Sequence, residues 1–466
     1  MKDFQEIIKL FSASIIVLQF CSCATYYQKN SDFQSKFQKG QFEQSFNYLE
    51  NKKKAGKGKD RLLYYFDKGV VCNILGKYQL SNEYFSQADL YIEDFHRNYG
   101  FEMLAIVSNP MVKPYKAEDF ESVMIQYYKA KNFMALGNYD AALVEAKRLN
   151  EKLNKLSDIY KKKISYKQDA FAHLLMGLVY DANKDYNNAF IAYRNAYNVY
   201  KDDYSKDYGV NAPEQLKKDI LRTAAKTGLW DEIDFFEKQW NTKYVEEKHS
   251  GGEAVLFWQN GLGPVKSEWS INFTILPGQV GYVTFVNEEW GINLPFYVGN
   301  ADERNRLVDL KIVRVAIPKF NERFPMYNRA TINLAGKTGT FELAQDINKI
   351  AIQNLKDRMV RELGVALLRV ALKQAAETAA RKSGKNGLGL ALSVFNAITE
   401  KADTRNWQTL PHDIFYTRIN LPAGNHEFTV NTSGKRGNIS KNGFVEIRNN
   451  QTTFHTINSV ETTTIQ

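Results

Sequence analysis

The first half of the chain carries a repeated pattern of small and aromatic residues with the spacing of paired helices. Gly177 and Ala196 bracket one copy, and Gly69 and Ala88 bracket an earlier copy with the same separation. Between them lies a less regular copy with Ala130, Gly137, Tyr139, Ala142, Ala146 and Leu149. Small residues let antiparallel helices cross closely, and rings fill the space between them. Three copies in one phase predict a stack of helical hairpins.

The offsets match those of a tetratricopeptide repeat (TPR), so we predict a TPR-like α-solenoid over residues 62–245. Its middle hairpin is expected at 118–136 and 140–156. The last hairpin, at 214–240, departs from the repeat spacing and is expected to form a cap whose outer face meets water. Residues 23–61 should hold an anchor and a first helix.

Stacked repeats form a concave groove that commonly binds a protein partner. The predicted partner-binding residues are Tyr128, Asn132, Glu145, Arg148 and His173. Each has an alternative explanation as a packing residue, and Glu145 with Arg148 also fits an intrahelical ion pair.

From Gly251 onward the pattern changes to short segments rich in β-branched and aromatic residues, separated by glycine and proline. These segments predict antiparallel strands. They lie at 254–258, 271–275, 282–286, 310–316, 413–419, 425–430, 443–448 and 452–457. A long amphipathic helix is predicted at 346–382. An apolar segment at 390–399 is too short to cross a bilayer, so burial in protein is favoured over membrane insertion.

The predicted fold class is therefore α+β with several domains. A TPR-like α-solenoid is followed by a β-rich, antiparallel sandwich-like domain formed by residues 251–345 and 402–466. A helical hairpin at 346–401 interrupts that domain.

The N-terminus has the layout of a lipoprotein signal peptide at residues 1–22. Lys2 and Lys9 precede an apolar run at 10–20 that is too short for a permanent span. Ser22 is the small residue needed before a cut at Cys23, which would then carry acyl chains. Each buried methylene contributes ~0.8 kcal/mol, so several chains together give stable membrane anchoring. An ordinary secreted protein is the alternative.

The residues after the cysteine predict the location of the mature protein. Ala24 and Thr25 resemble the sorting signal of outer-membrane lipoproteins, and residues 26–30 contain no acidic cluster of the kind that directs export to the surface. We therefore expect an outer-membrane lipoprotein at the periplasmic face. With Cys21 removed and Cys23 acylated, only Cys72 remains, which excludes an intramolecular disulfide and fits a small buried hydrophobe.

The formal net charge of +10 is compatible with nucleic-acid binding, but the lysines form short runs without a nucleic-acid motif. We expect no nucleic-acid partner. A phosphate-binding loop is suggested by Gly336, Lys337 and Thr338, but Thr331 stands where that motif needs glycine.

No catalytic, cofactor or metal site is predicted. The six histidines are scattered without metal-ligand spacing. His412 and Asp413 are adjacent on a predicted strand and should point to opposite faces, which argues against a catalytic dyad. Asp403, Arg405 and Trp407 are candidates for a special role. Alternatively, Arg405 and Asp403 form a structural ion pair that holds a loop, with Trp407 packed beneath it.

Several stretches resemble a family of uncharacterised Gram-negative envelope lipoproteins with TPR-like repeats. They lie at 115–120, 127–132, 144–148, 260–266, 402–407, 410–411 and 421–424. Genes of such families often neighbour those of other small envelope lipoproteins, including ones similar to activators of peptidoglycan synthases. The resemblance implies a role in the cell envelope and supplies no catalytic residues.

These observations predict a non-enzymatic, lipid-anchored periplasmic scaffold that binds a protein partner of the cell envelope through its repeats. A regulator of a peptidoglycan synthase is one alternative. A cell-wall hydrolase or transferase with an unrecognised site is another.

Overall fold

The computed structural model describes residues 26–97, 113–159, 165–246, 251–279, 281–289, 291–298, 301–308, 311–382 and 401–463. The predicted signal peptide, the predicted acylation site Cys23 and the apolar segment at 390–399 lie outside these residues. None of the helices among the described residues has both the length and the apolar character required to cross a membrane.

Helices make up the N-terminal part and one long element of the C-terminal part. They are α1 (Tyr26–Lys29), α2 (Ser31–Gln38), α3 (Phe42–Asn51), α4 (Arg61–Ile74), α5 (Tyr78–Arg97), α6 (Asp119–Ala135), α7 (Tyr139–Ile159), α8 (Ala170–Ala182), α9 (Tyr186–Val199), α10 (Ser205–Asp207), α11 (Glu214–Lys226), α12 (Trp230–Trp240), α13 (Ala301–Val308) and α14 (Ile347–Lys382).

The helical part contains the predicted hairpins, α4/α5, α6/α7, α8/α9 and α11/α12, each packed against the next. The same backbone turn joins the two helices of every one of these hairpins. Gly76, Gly137 and Gly228 adopt φ values of 71° there, and Lys184 adopts 61° in the third hairpin. Glycine reaches this left-handed region without steric cost, whereas lysine does not.

The small residues of the repeats lie where one helix crosses its partner. A Cβ atom on Gly69 would lie 2.6 Å from the ring of Phe85, and one on Gly177 would lie 2.3 Å from the ring of Tyr193. These contacts explain the repeat pattern and confirm a TPR-like helical array in the N-terminal part.

Strands make up most of the C-terminal part. They are β1 (Gly252–Asn260), β2 (Val265–Pro277), β3 (Tyr282–Asn287), β4 (Ile292–Tyr297), β5 (Ile312–Asn321), β6 (Tyr327–Leu334), β7 (Lys337–Thr340), β8 (Glu342–Asp346), β9 (Asp413–Leu421), β10 (Gly424–Gly434), β11 (Gly437–Ile447) and β12 (Thr452–Ser459). Every strand predicted from the sequence is present, and β4, β6, β7 and β8 are additional.

The described strands form three four-stranded sheets. Sheet A has the order β12-β1-β9-β8, sheet B has the order β11-β10-β6-β7, and sheet C has the order β4-β3-β2-β5. Sheets A and B pack face to face around a shared apolar core, which includes Leu256, Trp258, Ile332, Phe415 and Val430. This pair is the predicted sandwich, but β1 and β12 run parallel, so the sandwich is not purely antiparallel.

Sheet A is buried on both faces. Leu256 and Trp258 of β1 face sheet B, whereas Val255 and Phe257 belong to the core of the helical array. A strand covered on both sides needs apolar side chains at successive positions, which explains the continuous apolar run at 254–258.

Sheet C corrects the expectation of one β domain, because it has a core of its own. The second half of α14 packs on sheet C through Leu363, Leu367 and Val370. The first turns of α14 pack against the helical array through Ile347 and Ile350. The long helix therefore connects the array to sheet C.

Candidate functional site

The inner face of the helical array is covered by sheet A. The rings of Phe171 and Phe257 contact edge to face at 6.3 Å between centroids. Gln259 donates a hydrogen bond of 2.9 Å to the hydroxyl of Tyr127, and Tyr200 donates one of 2.6 Å to the carbonyl oxygen of Ala344. The expected open groove is therefore filled by the protein's own β strands.

Tyr128 and Asn132, predicted to face a partner, are buried inside the array. The ring of Tyr128 stacks on Phe85 at 5.1 Å. The Asn132 amide donates to Ser81 at 2.9 Å and to Asn82 at 2.8 Å. The expectation that these two side chains face an open groove is wrong, because stacking and buried hydrogen bonds occupy them.

The other three predicted residues, Glu145, Arg148 and His173, differ in their exposure to solvent. Glu145 is buried and pairs with Lys129 at 2.9 Å and with Arg148 at 3.5 Å. The Arg148 side chain is 53% exposed, on the outer side of the array. His173 is half-buried, and burial lowers its pKa. Of the predicted partner-binding residues, Arg148 is the one whose side chain is largely open to solvent.

The loop containing Asp403, Arg405 and Trp407 docks onto the helices. The Arg405 guanidinium is buried and pairs with Asp403 at 2.7 Å and with Asp60 at 2.8 Å. Trp407 stacks on Phe66 at 4.1 Å, and its backbone N–H donates to Glu121 at 2.6 Å. These contacts fix the loop to the array. Arg405 and Trp407 are buried, whereas the Asp403 side chain is partly exposed and lines a cavity beside the loop.

A buried charge cluster fastens sheet A to the helices. Arg418 of β9 pairs with Asp181 at 2.9 Å, with Asp219 at 3.0 Å and with Glu253 at 2.6 Å. Burial alone would raise the pKa of Asp181, but Arg222 and Arg418 outweigh it and hold that pKa well below its usual range. The cluster has no local signature in the sequence, because its members come from α8, α11, β1 and β9, which lie far apart along the chain.

The structure also corrects the prediction for His412 and Asp413. His412 directly precedes β9, so the strand rule does not separate it from Asp413, and Nδ1 lies 2.9 Å from the Asp413 carboxylate. Nε2 lies 2.8 Å from Glu322. Burial opposes protonation of His412, but Asp413 and Glu322 raise its pKa to about 9. Burial, with repulsion from Asp413, raises the pKa of Asp346 beside them to about 6.

A cavity of about 250 Å³ lies between the segment 113–118 that precedes α6, sheet C, α14 and the loop at 401–403. At its wall, Glu118 pairs with both Lys266 and Arg358. Burial opposes ionisation of Glu118, but these two cations lower its pKa to about 2. The triad joins three elements of the fold, and we assign the cavity no ligand.

The outer face of the array carries a row of exposed apolar side chains, here called the outer row. It consists of Val144, Ile191 and Phe235, which are 52%, 38% and 58% exposed. Each stands five residues after the first residue of the second helix in its hairpin. The first hairpin has Glu83 at this position. Superposition of the repeat sequences would have revealed the row.

The helices of the outer row are neighbours. Ala146 of α7 and Ala192 of α9 share a small apolar core with Met176 of α8. Arg194 of α9 pairs with Glu232 of α12 at 2.9 Å. The three apolar side chains therefore lie on the second helices of successive hairpins, on one side of the array. The outer row ends on α12, whose outer side was expected to be a water-facing cap and also exposes Trp230.

Known proteins are only weakly similar to this chain. No protein-family model and no curated protein matches the sequence. The apo form of RapI superposes with a TM-score of 0.35 at 14% identity, over 49% of this chain and 56% of RapI. MamA gives 0.30 at 16% identity, over 45% of this chain and 92% of MamA. A Rap protein complexed with competence and sporulation factor gives 0.30 at 15%, over 49% and 57%.

This chain thus spans just over half the length of RapI. Its assignment to the class of TPR-like helical repeat proteins rests on its own hairpin geometry, with a β-sandwich packed on the inner face.

Proposed function

We propose that this chain is a lipid-anchored periplasmic scaffold of the bacterial outer membrane that holds a protein partner on the outer face of its helical repeats. The outer row carries this proposal. Exposed large apolar side chains in repeated register are typical of a binding surface, whereas single scattered ones are not. The lipoprotein-like N-terminus and the resemblance to envelope lipoproteins support the location.

The spacing of the outer row favours an amphipathic helix as the bound segment. Directly packed helices lie about 8–10 Å apart, and we take a spacing of this order for α7, α9 and α12, the second helices of successive hairpins. A helix rises 1.5 Å per residue, so apolar residues seven positions apart are separated by about 10.5 Å. A partner helix laid across α7, α9 and α12 would thus place one apolar residue against each member of the row.

The charged residues beside the outer row predict the orientation of the bound helix. Asp140 and Asp231 are exposed one helical turn before Val144 and Phe235. Arg148 is exposed one turn after Val144. The partner helix is therefore expected to carry basic residues along the flank that faces the two aspartates.

The test is photo-crosslinking in cells with the full-length chain. A photoreactive residue at position 144, 191 or 235 is expected to capture a protein. The same residue at position 83, the equivalent place in the first hairpin, serves as the matched control. Equal capture at position 83, or capture at none of the three row positions, contradicts the proposal.

A second variant changes the surface without changing the core. Replacing Val144, Ile191 and Phe235 together by aspartate is expected to abolish capture from a probe placed beside the row at Asn195. Because these side chains are exposed, unfolding should shift by no more than about 0.5 kcal/mol per substitution. Full capture by a folded variant would refute the outer row as the binding surface.

The lipid anchor is tested separately. Cys23→Ala is expected to release the chain from the membrane fraction and to abolish labelling by a clickable fatty acid. If the crosslinked partner proves to be a peptidoglycan synthase, the scaffold acts as a regulator of that enzyme. Turnover of cell-wall substrate by the purified chain would instead favour the hydrolase or transferase alternative.

A further inference from the structure

Donor groups from separate segments converge at one end of sheet A. Asp346 is the last residue of β8 and pairs in the strand ladder with Asp413, the first residue of β9. His412 lies directly before Asp413. Asp346, His412 and Asp413 each offer one ligand atom, and these atoms all lie within 4.8 Å of one another.

The backbone holds His412 in place on both sides. Its N–H donates to the carbonyl oxygen of Asn260 at 3.0 Å, and its carbonyl oxygen accepts from the N–H of Ile347 at 2.9 Å. The imidazole is fixed as well, because Nε2 lies 2.8 Å from a carboxylate oxygen of Glu322. The ring therefore presents its other nitrogen, Nδ1, to the two aspartates.

Nδ1 of His412 is buried and has no hydrogen bond within the part of the chain that the structure describes. Although it lies 2.9 Å from the Asp413 carboxylate, the two groups do not have hydrogen-bond geometry. A buried ring nitrogen that lacks a hydrogen bond and faces two carboxylates calls for a physical explanation. A bound metal ion is one such explanation, because it is coordinated by the lone pair of the nitrogen and by the carboxylate oxygens at the same time.

The donor set matches that of divalent transition metals. Zinc binds imidazole nitrogen at about 2.0–2.1 Å and carboxylate oxygen at about 2.0–2.2 Å, which in tetrahedral geometry places neighbouring donors about 3.4 Å apart. The three ligand atoms, which lie within 4.8 Å of one another, would draw together around the ion. Metal-bound histidines almost always have a carboxylate, carbonyl or water at the other ring nitrogen. Glu322 stands in that position. The side chain of Asp413 is 14% exposed, which leaves an approach from solvent.

We propose that Asp346, His412 and Asp413 bind a divalent transition metal of the zinc class, with Glu322 orienting the imidazole. The site has three protein ligands and a fourth position for water. It is separate from the outer row and does not depend on the proposed scaffold function. The competing explanation is an ion clamp, in which protonated His412 bridges Glu322 and Asp413 without a metal.

The test is calorimetric titration of ZnCl₂ into the chelator-treated full chain. One zinc per chain is expected. His412→Gln and Asp413→Asn are expected to abolish this binding, and Glu322→Gln to weaken it about 10- to 100-fold. The matched control is His426→Gln, which removes a half-buried histidine whose Nε2 lies 2.8 Å from the carbonyl oxygen of Pro422. All variants keep the same cysteines, so zinc bound by thiols cancels in the comparison.

A second readout uses CoCl₂ as a spectroscopic probe. Visible absorption bands of protein-bound cobalt are expected with the unsubstituted chain and with His426→Gln. They should be absent with Asp413→Asn. The asparagine amide preserves the shape of the aspartate side chain, so this variant provides the test if His412→Gln fails to fold. The metal site is refuted if the unsubstituted chain binds no stoichiometric zinc, or if Asp413→Asn binds zinc as tightly as the control.

Discussion

Gly177 lies directly beneath the ring of Tyr193, so close that a methyl group on its Cα would lie 2.3 Å from a ring carbon. Gly69 and Phe85 repeat this relationship at 2.6 Å in the first hairpin. The second hairpin has Ala130 and Ala146 at the same two positions. Where the second helix of a hairpin has an aromatic ring at this position, the first helix has glycine. Where the second helix has alanine, the first helix also has alanine.

Gly69→Ala is expected to destabilise the protein by about 1–3 kcal/mol, because the added methyl group must displace a buried ring. In the Phe85→Ala background the same change should cost less, since the obstructing ring is gone and alanine favours the helix. Chemical denaturation of the four chains of this double-mutant cycle measures the coupling. Additive effects of the two substitutions would show that the ring is not the obstacle.

Ala130→Gly tests the same rule in reverse. No large ring stands at position 146, so glycine offers no relief there and should cost about 1 kcal/mol through its lower helix propensity. A stabilised Ala130→Gly chain in the same denaturation assay would contradict this account of the repeats.

Lys184→Gly is expected to stabilise the third hairpin by about 0.5–1 kcal/mol. Lys184 adopts a left-handed φ of 61° in the turn where the other hairpins have glycine. A side chain costs roughly 1–2 kcal/mol in this region, and the greater freedom of glycine in the unfolded chain offsets part of the gain. Gly76→Ala is the opposite control. The added methyl group would have no atom within 4 Å, so the expected loss of stability comes from the left-handed φ alone.

Arg418→Met is expected to destabilise the protein by about 3–5 kcal/mol, because it leaves Asp181, Asp219 and Glu253 buried with less compensating charge. Arg448→Met is the control, since Arg448 is exposed and pairs with exposed Glu446. It should change the free energy of unfolding by no more than about 0.5 kcal/mol. Thermal and denaturant unfolding measure both, and equal effects would show that the buried cluster does not hold sheet A to the helices.

Asp67→Asn is expected to change how stability depends on pH. Burial raises the pKa of Asp67 to about 7, although Tyr26 and Thr409 both donate hydrogen bonds to its carboxylate. A carboxyl with a raised folded-state pKa favours folding at low pH. Its contribution falls by about 1.4 kcal/mol per pH unit between its unfolded value near 4 and about pH 7.

The asparagine chain should lack this decline. Relative to the unsubstituted chain, it should therefore gain stability between about pH 4 and pH 7, as measured by denaturant unfolding at several pH values. Parallel pH profiles for the two chains would contradict the raised pKa.

Interactions between residues close in sequence determined much of this fold. The positions of Gly69, Gly137 and Gly177 follow from the close crossing and the tight turn of each hairpin, and both requirements involve residues near in sequence. The strand at 254–258 and the helix at 346–382 were likewise readable, because side-chain periodicity reports the backbone. The short strands β7 and β8 escaped detection, since a few residues carry little periodic signal.

The location of the surfaces depended on contacts between residues far apart in the chain. Tyr128 looks the same in sequence whether it faces a partner or a covering sheet, and only the docking of sheet A decides between the two. Asp346 and His412 likewise meet because β8 pairs with β9. The sequence alone determined the repeats, whereas tertiary packing decided which face of them stayed open, because burial is a property of the whole folded chain.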